Sequence, residues 1–265
     1  MKRTKFIASV AVAACFTIVA ASSADAARVL VDFGRHNGND GEATVSPDTN
    51  GNYWNNVSYG AGDFQIPAGA SWDNLVTTSN DPTTIDVVTN TIFRANGYNN
   101  GGLLAPSAAL LGDLAISTAT GDYFFTETGG TPALNNYSEL KLTGLSANAT
   151  YDLRMFATRK TTSERTTRYE VTDANGLSNL VLQTSGPGIG DGGYDGNNDT
   201  IVGLAGLVPD GNNEITIGVR AIDGGYAYIG ILDITENAAV PEPTSLVLIG
   251  IGGLVCLARR RFCQR

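Results

Sequence analysis

The middle of this 265-residue sequence predicts an all-β fold, a jelly-roll β-sandwich with one short helix, and three observations carry that reading. Short segments rich in Val, Ile, Thr and aromatic residues recur at close intervals, separated by Gly, Asn, Asp and Pro. Several of them alternate strictly between apolar and polar residues, the period of a sheet with one wet face. A single stretch, 106–116, shows helical spacing instead, with Pro106 at its start and Leu110, Leu111 and Leu114 along one stripe.

Taken in order, residues 29–32 open the sandwich, and 53–59 and 72–77 are aromatic-bearing strand candidates. The Thr-, Val- and Ile-rich segment 83–93 holds one or two strands, and 122–126 is built on Tyr123, Phe124 and Phe125. The clearest pair follows. In 138–143, Leu140 and Leu142 share one face while Glu139 and Lys141 share the other. In 150–158, Tyr151, Leu153 and Met155 face inward and Asp152 and Arg154 outward, with the turn at 144–148 between the two. Segments 168–172, 178–183 and 199–204 continue the pattern, and 213–220 alternates again through Ile215, Ile217 and Val219. The last segment, 225–234, is apolar on both faces and reads as a central strand covered on both sides. The total is roughly eleven short strands.

The two ends differ from this body. Lys2, Arg3 and Lys5 precede an apolar run over 6–21, and Ala24-Asp25-Ala26 places small residues at −3 and −1 of a signal-peptidase site, so 1–26 reads as a signal peptide. The sandwich then spans 27–236 and a distinct tail spans 237–265. The tail joins Pro241-Glu242-Pro243, an uncharged run over 245–258 and the basic cluster Arg259, Arg260 and Arg261. As a helix the uncharged run rises roughly 21 Å, against a hydrocarbon core about 30 Å thick. It is a marginal span, suited to transient membrane insertion, and the arginines would stay on the cytoplasmic side. This order of motif, apolar helix and arginines resembles the PEP-CTERM protein-sorting tail. That resemblance implies an exosortase, a membrane-embedded cysteine transpeptidase, as a processing partner after signal peptidase. It also implies a destination at the surface or in the extracellular matrix of a Gram-negative bacterium, reached through the inner membrane. The alternative is a permanent single-span anchor.

Composition excludes several functions. Seven of the 17 Lys and Arg lie in the ends, but only two of the 26 Asp and Glu, so the body carries about −14 and is a poor partner for nucleic acid or anionic lipid. Cys15, Cys256 and Cys263 all fall in the ends, leaving the body without a disulfide or a thiol nucleophile. The one histidine, His36, sits in a Gly- and Asn-rich loop without a Gly-x-Ser-x-Gly elbow, and it is expected to be an exposed loop residue. On this reading zinc lacks His or Cys ligands, and no nucleotide-phosphate fingerprint is present. Calcium is the cofactor that the sequence allows. Asp191, Asp195, Asn197 and Asp199 concentrate hard oxygen donors on one loop, although the run departs from an EF-hand, with Thr200 where glycine belongs.

The body is similar to the galactose-binding-like and malectin-like modules of secreted bacterial proteins. Residues 31–34 (Val-Asp-Phe-Gly), 53–56 (Tyr-Trp-Asn-Asn), 142–145 before 151–154, and 226–230 carry the similarity. Aromatic faces beside planar amide and guanidinium groups suit sugars, which places candidate carbohydrate contacts at Tyr53, Trp54, Asn55, Asn56, Arg159 and Arg168. The sequence therefore leads to an exported, non-enzymatic sandwich with a polysaccharide ligand. A ligand-free surface or matrix spacer is the structural alternative, and a polysaccharide hydrolase using an acidic pair is the catalytic one.

Overall fold

The structure, a computed structural model, describes residues 26–36, 40–58, 64–131 and 133–237. The signal peptide and the tail motif, including Pro241, Glu242, Pro243, Arg259, Arg260 and Arg261, lie outside the described residues. Among the described residues no helix is long and apolar enough to cross a membrane.

In chain order the strands are β1 (Ala27–Phe33), β2 (Trp54–Val57), β3 (Gln65–Ile66), β4 (Ser71–Trp72), β5 (Asp86–Thr89) and β6 (Phe93–Asn96). Two short helices follow, α1 (Ala108–Leu111) and α2 (Ser117–Gly121), joined by a 3-10 turn at Gly112–Leu114. The chain continues as β7 (Tyr123–Glu127), β8 (Tyr137–Thr143), β9 (Thr150–Phe156), β10 (Arg165–Asp173) and β11 (Gly176–Ser185). It ends with β12 (Val202–Leu207), β13 (Ile215–Asp223), β14 (Tyr226–Ile229) and β15 (Ile231–Asn237).

Three sheets result. A five-stranded sheet runs β12-β9-β15-β1-β2, a six-stranded sheet runs β11-β10-β13-β8-β5-β4, and a four-stranded sheet runs β14-β7-β6-β3. The alternating residues pack where their period puts them. Val29, Val31 and Phe33 of β1, Leu140 and Leu142 of β8, Tyr151, Leu153 and Met155 of β9, and Ile215, Ile217 and Val219 of β13 join one buried core. This is the sandwich that the sequence predicts, and burying such rows is its main stabilisation.

The five-stranded sheet is covered on its other face too. Leu30, Trp54, Phe156 and Ile231 meet Leu103, Leu111, Leu114 and Ala119 from the helical segment in a second core. The expected helix over 106–116 is the short α1 followed by the 3-10 turn, and α2 comes just after that range. Gly112, at φ 60°, breaks α1 after Leu111, because a left-handed residue cannot continue the helix. The doubly apolar segment 225–234 is likewise two strands rather than one. Gly230 separates β14, in the four-stranded sheet, from β15, in the five-stranded one, and its N–H and C=O bond to Phe156 O and Phe33 N.

Candidate functional site

The four-stranded sheet has one face in the core and one turned outward. Phe124, Ala227 and Ile229 go to the core. On the other face Tyr123, Phe125 and Tyr228 are themselves nearly fully buried, at 1, 4 and 2 % exposure, so they form the floor beneath the half-buried Tyr226, Glu127 and Asn96. On the outward face Tyr226 stands opposite Glu127, Tyr228 opposite Phe125, and Asn96 opposite Tyr123. With Phe64, Arg159 and Arg165 these residues line a cleft of about 210 Å³.

Its chemistry is aromatic and cationic. Tyr226 and Tyr228 lie nearly parallel, 8° apart with centroids at 6.4 Å, while the Tyr123 ring meets Tyr228 edge-on at 4.9 Å. The Arg165 guanidinium carbon lies 4.2 Å from the Tyr226 centroid and the group donates to the Tyr228 hydroxyl. Arg159 Nη1 donates to Tyr123 Oη at 2.8 Å, and that hydroxyl donates in turn to Asn100 O at 2.8 Å. Both arginines are thus held in place by phenols, yet Nε of each is buried without a hydrogen-bond partner. The cleft's carboxylate, Glu127, is paired with Arg94. Burial pushes Tyr228 up to about 12, against the opposing charge of Arg165, so its phenol keeps its proton. Phe64 is 39 % exposed at the rim, with the Arg94 guanidinium carbon 5.2 Å from its ring centroid.

A larger groove, about 520 Å³, runs between Thr44–Thr49 and Ala115–Thr118. Several of its polar groups are already engaged. Asp48 accepts from the Asn50 and Asn52 amides and from the Trp54 indole, and the Thr44 and Thr118 hydroxyls bond each other. The smaller cleft is chemically the better equipped.

The structure separates the residues singled out from the sequence. Of the carbohydrate candidates, Arg159 lines the cleft. Trp54 is 4 % exposed in the second core and presents no face to a ligand. Tyr53 is half-buried beside it, its N–H bonded to Thr78 O. Asn55 bridges Leu30 O, Val76 O and Val76 N, and Asn56 clasps Thr44 through both its amide atoms. Arg168 pairs with Glu170, as Arg220 also does, on the outward face of the six-stranded sheet. Arg165 belongs with Arg159 and Arg168 to an arginine cluster visible in the sequence, but a cleft assembled from several strands and loops leaves no local spacing, so Tyr226 and Tyr228 were hidden in a segment that reads as core strand.

In the acidic loop the side chains fold the loop itself. Asp195 accepts from Gly188 N, Asn197 bonds Ala157 O and Thr200, Asp199 accepts from the Thr200 hydroxyl, and Asp191 N–H donates to Asn198. Among the described residues Asp32, His36 and Asp122 are instead the group whose ligand atoms lie within 4.8 Å of one another. His36 is not an exposed loop residue, since its side chain is 5 % exposed. Asp32 and Asp122 are fully buried. Burial, and the charge of Asp32 beside it, hold the Asp122 carboxyl far above the usual carboxylate range.

Residues 239–261 match the protein-family profile described as the PEP-CTERM protein-sorting motif. The tail is a PEP-CTERM motif. By that motif this is an exported, exosortase-sorted surface protein. No curated protein matches the sequence. Among solved structures, the chain is similar to a family 35 carbohydrate-binding module from Clostridium thermocellum at TM-score 0.30 and 14% identity, over 56% of this chain and 96% of that one. A family 32 module of C. perfringens NanJ in complex with galactose matches at TM-score 0.27 and 16% identity, over 54% and 93%. An exo-β-1,3-galactanase from Phanerochaete chrysosporium matches at TM-score 0.28 and 12% identity, over 66% of this chain and 31% of that one. The PEP-CTERM tail thus speaks for the destination.

Proposed function

We propose that this PEP-CTERM protein is a non-catalytic surface or matrix protein whose outward cleft binds a polysaccharide carrying acidic groups. The observation that carries the reading is the pair Arg159 and Arg165, fixed by Tyr123 and Tyr228 with each Nε buried and unpaired in a body that is otherwise strongly acidic. A guanidinium presents several donors in a fixed fork, which suits a carboxylate or paired hydroxyls. Phe64 supplies an apolar ring against which a sugar's C–H face can lie. Glycoside hydrolysis uses two carboxyl groups flanking the bond, and among the lining residues Glu127 is the one carboxylate, paired with Arg94.

Isothermal titration of the purified full chain with uronate-containing and neutral oligosaccharides tests this. Binding should favour the acidic series, fall at least about tenfold in Arg165→Ala, as expected from losing a charge-assisted hydrogen bond, and be unaffected by Arg168→Ala. Equal affinity in Arg165→Ala, or binding to neither series, would remove the cleft from the function.

A further inference from the structure

Asp32, His36 and Asp122 meet behind the cleft. Arg28, Leu30 and Asp32 alternate along the outer face of β1, opposite Thr235, Asp233 and Ile231 of β15. Asp122 directly precedes β7, so it and Tyr123 of the cleft are neighbours on one strand. His36 closes the group from the loop after β1, at φ +38°, a conformation costly for a residue with a side chain.

Three observations turn the cluster into a site. First, His36 Nε2 lies 3.5 Å from Asp32 Oδ2 and 3.6 Å from Asp122 Oδ2. That exceeds the roughly 2.7–3.2 Å of an N–H···O hydrogen bond. It equals the spacing of neighbouring donors on a tetrahedral ion with bonds of about 2.0–2.2 Å, roughly 3.3–3.6 Å. Second, both ring nitrogens of His36 are buried without hydrogen-bond partners, which native interiors rarely tolerate, while Asp122 faces the Asp32 carboxylate and the backbone of His36 and Arg35. Third, the surroundings hold the donors in place. Thr44 donates to Asp32 Oδ2 from N–H and hydroxyl, at 3.2 and 2.8 Å, while Asn56 clasps Thr44. A Cβ at Gly34 or Gly41 would lie 2.0 or 2.4 Å from Asp122 Oδ2, so only glycine lets that carboxylate reach its position. Such support around ligands is what orients metal donors.

We propose that Asp32, His36 and Asp122 bind a divalent first-row transition metal ion of the zinc type, which ties the loop after β1 to the start of β7. Two carboxylates and a neutral imidazole balance its charge. An imidazole donor and only three protein ligands favour such an ion over calcium, which takes six to eight oxygens. The burial of His36 assigns the ion a structural role, fixing the strand that carries Tyr123 into the cleft.

The single histidine in the chain makes the test direct. Full-length protein is purified without a polyhistidine tag, stripped with EDTA, and labelled with 15N. One equivalent of Zn²⁺ should shift the lone imidazole 15N signals and raise Tm by several degrees, and Ca²⁺ should do neither. Elemental analysis should find one zinc per chain in the wild type and none in His36→Gln. Imidazole signals that ignore Zn²⁺, or undiminished zinc in His36→Gln, would overturn the assignment. The NMR measurement needs no variant, so the wild-type signals decide the matter even where His36→Gln fails to fold.

Discussion

Arg28 reaches two carboxylates that differ in burial. It grips Asp233 with Nε and Nη2 at 2.8 and 2.9 Å, and Nη1 donates to Asp113 at the end of the helical segment. Asp233 is 1 % exposed and also accepts from Arg154. Arg28→Met should therefore destabilise the fold by about 1–3 kcal/mol, below the cost of orphaning a buried charge outright, because Arg154 remains. The pH dependence has a definite sign. Burial works to raise the Asp113 carboxyl, but the hydrogen bond and charge of Arg28 outweigh it and hold Asp113 below its ordinary 3.8. A depressed carboxylate adds stability above its unfolded value and loses it as pH falls through the folded one. Urea titrations at pH 7 and at pH 3 should show the gap between wild type and Arg28→Met narrowing in acid; a gap that widens would contradict the pairing.

At the scale of elements, alternation was enough to read β8, β9 and β13, because a half-buried strand writes its two faces into successive residues. The turn at Gly144 was legible for a similar reason. It has φ 69°, and a Cβ there would sit 1.9 Å from Thr84 O. Gly144→Ala should cost about 2–4 kcal/mol from strain and overlap together. Gly211→Ala, with open space around its Cβ, should be near neutral in the same thermal melts. Boundaries inside apolar runs were not legible. Gly112 and Gly230 redirect the chain where hydrophobicity alone suggests continuity, so the helix ends early at Leu111 and one strand became two in different sheets. The sites were less legible still. His36 is four residues from Asp32, yet Asp122 joins them only because α2 delivers it to the head of β7. Tyr226 and Tyr228 read as core because their strand is apolar; Tyr228 is indeed buried, and only the register with β7 shows that it and the half-buried Tyr226 floor the cleft.

For the whole molecule, delivery falls to the tail. The apolar run at 245–258 is shorter than a secure span needs, and Gly250, Gly252 and Gly253 both weaken it as a helix and allow another helix to approach closely. On the sorting reading, Pro241 and Pro243 would favour an extended backbone at the motif, the form that suits a transpeptidase cleft. On the same reading, the arginines at 259–261 would resist crossing and hold the chain in the membrane during the cut. The mature surface protein should accordingly end near residues 241–244. Mass spectrometry of the C-terminal peptide from native cells checks this, and mature surface protein ending at Arg265 would mean an uncut anchor. Replacing the motif by Pro241→Ala, Glu242→Ala and Pro243→Ala together should leave a full-length precursor in the inner membrane. Because the substitutions lie outside the folded strands, the last of which ends at Asn237, the precursor should keep the wild-type melting temperature. Normal release of the triple variant would show that the cut is specified by the helix and arginines, not by the prolines.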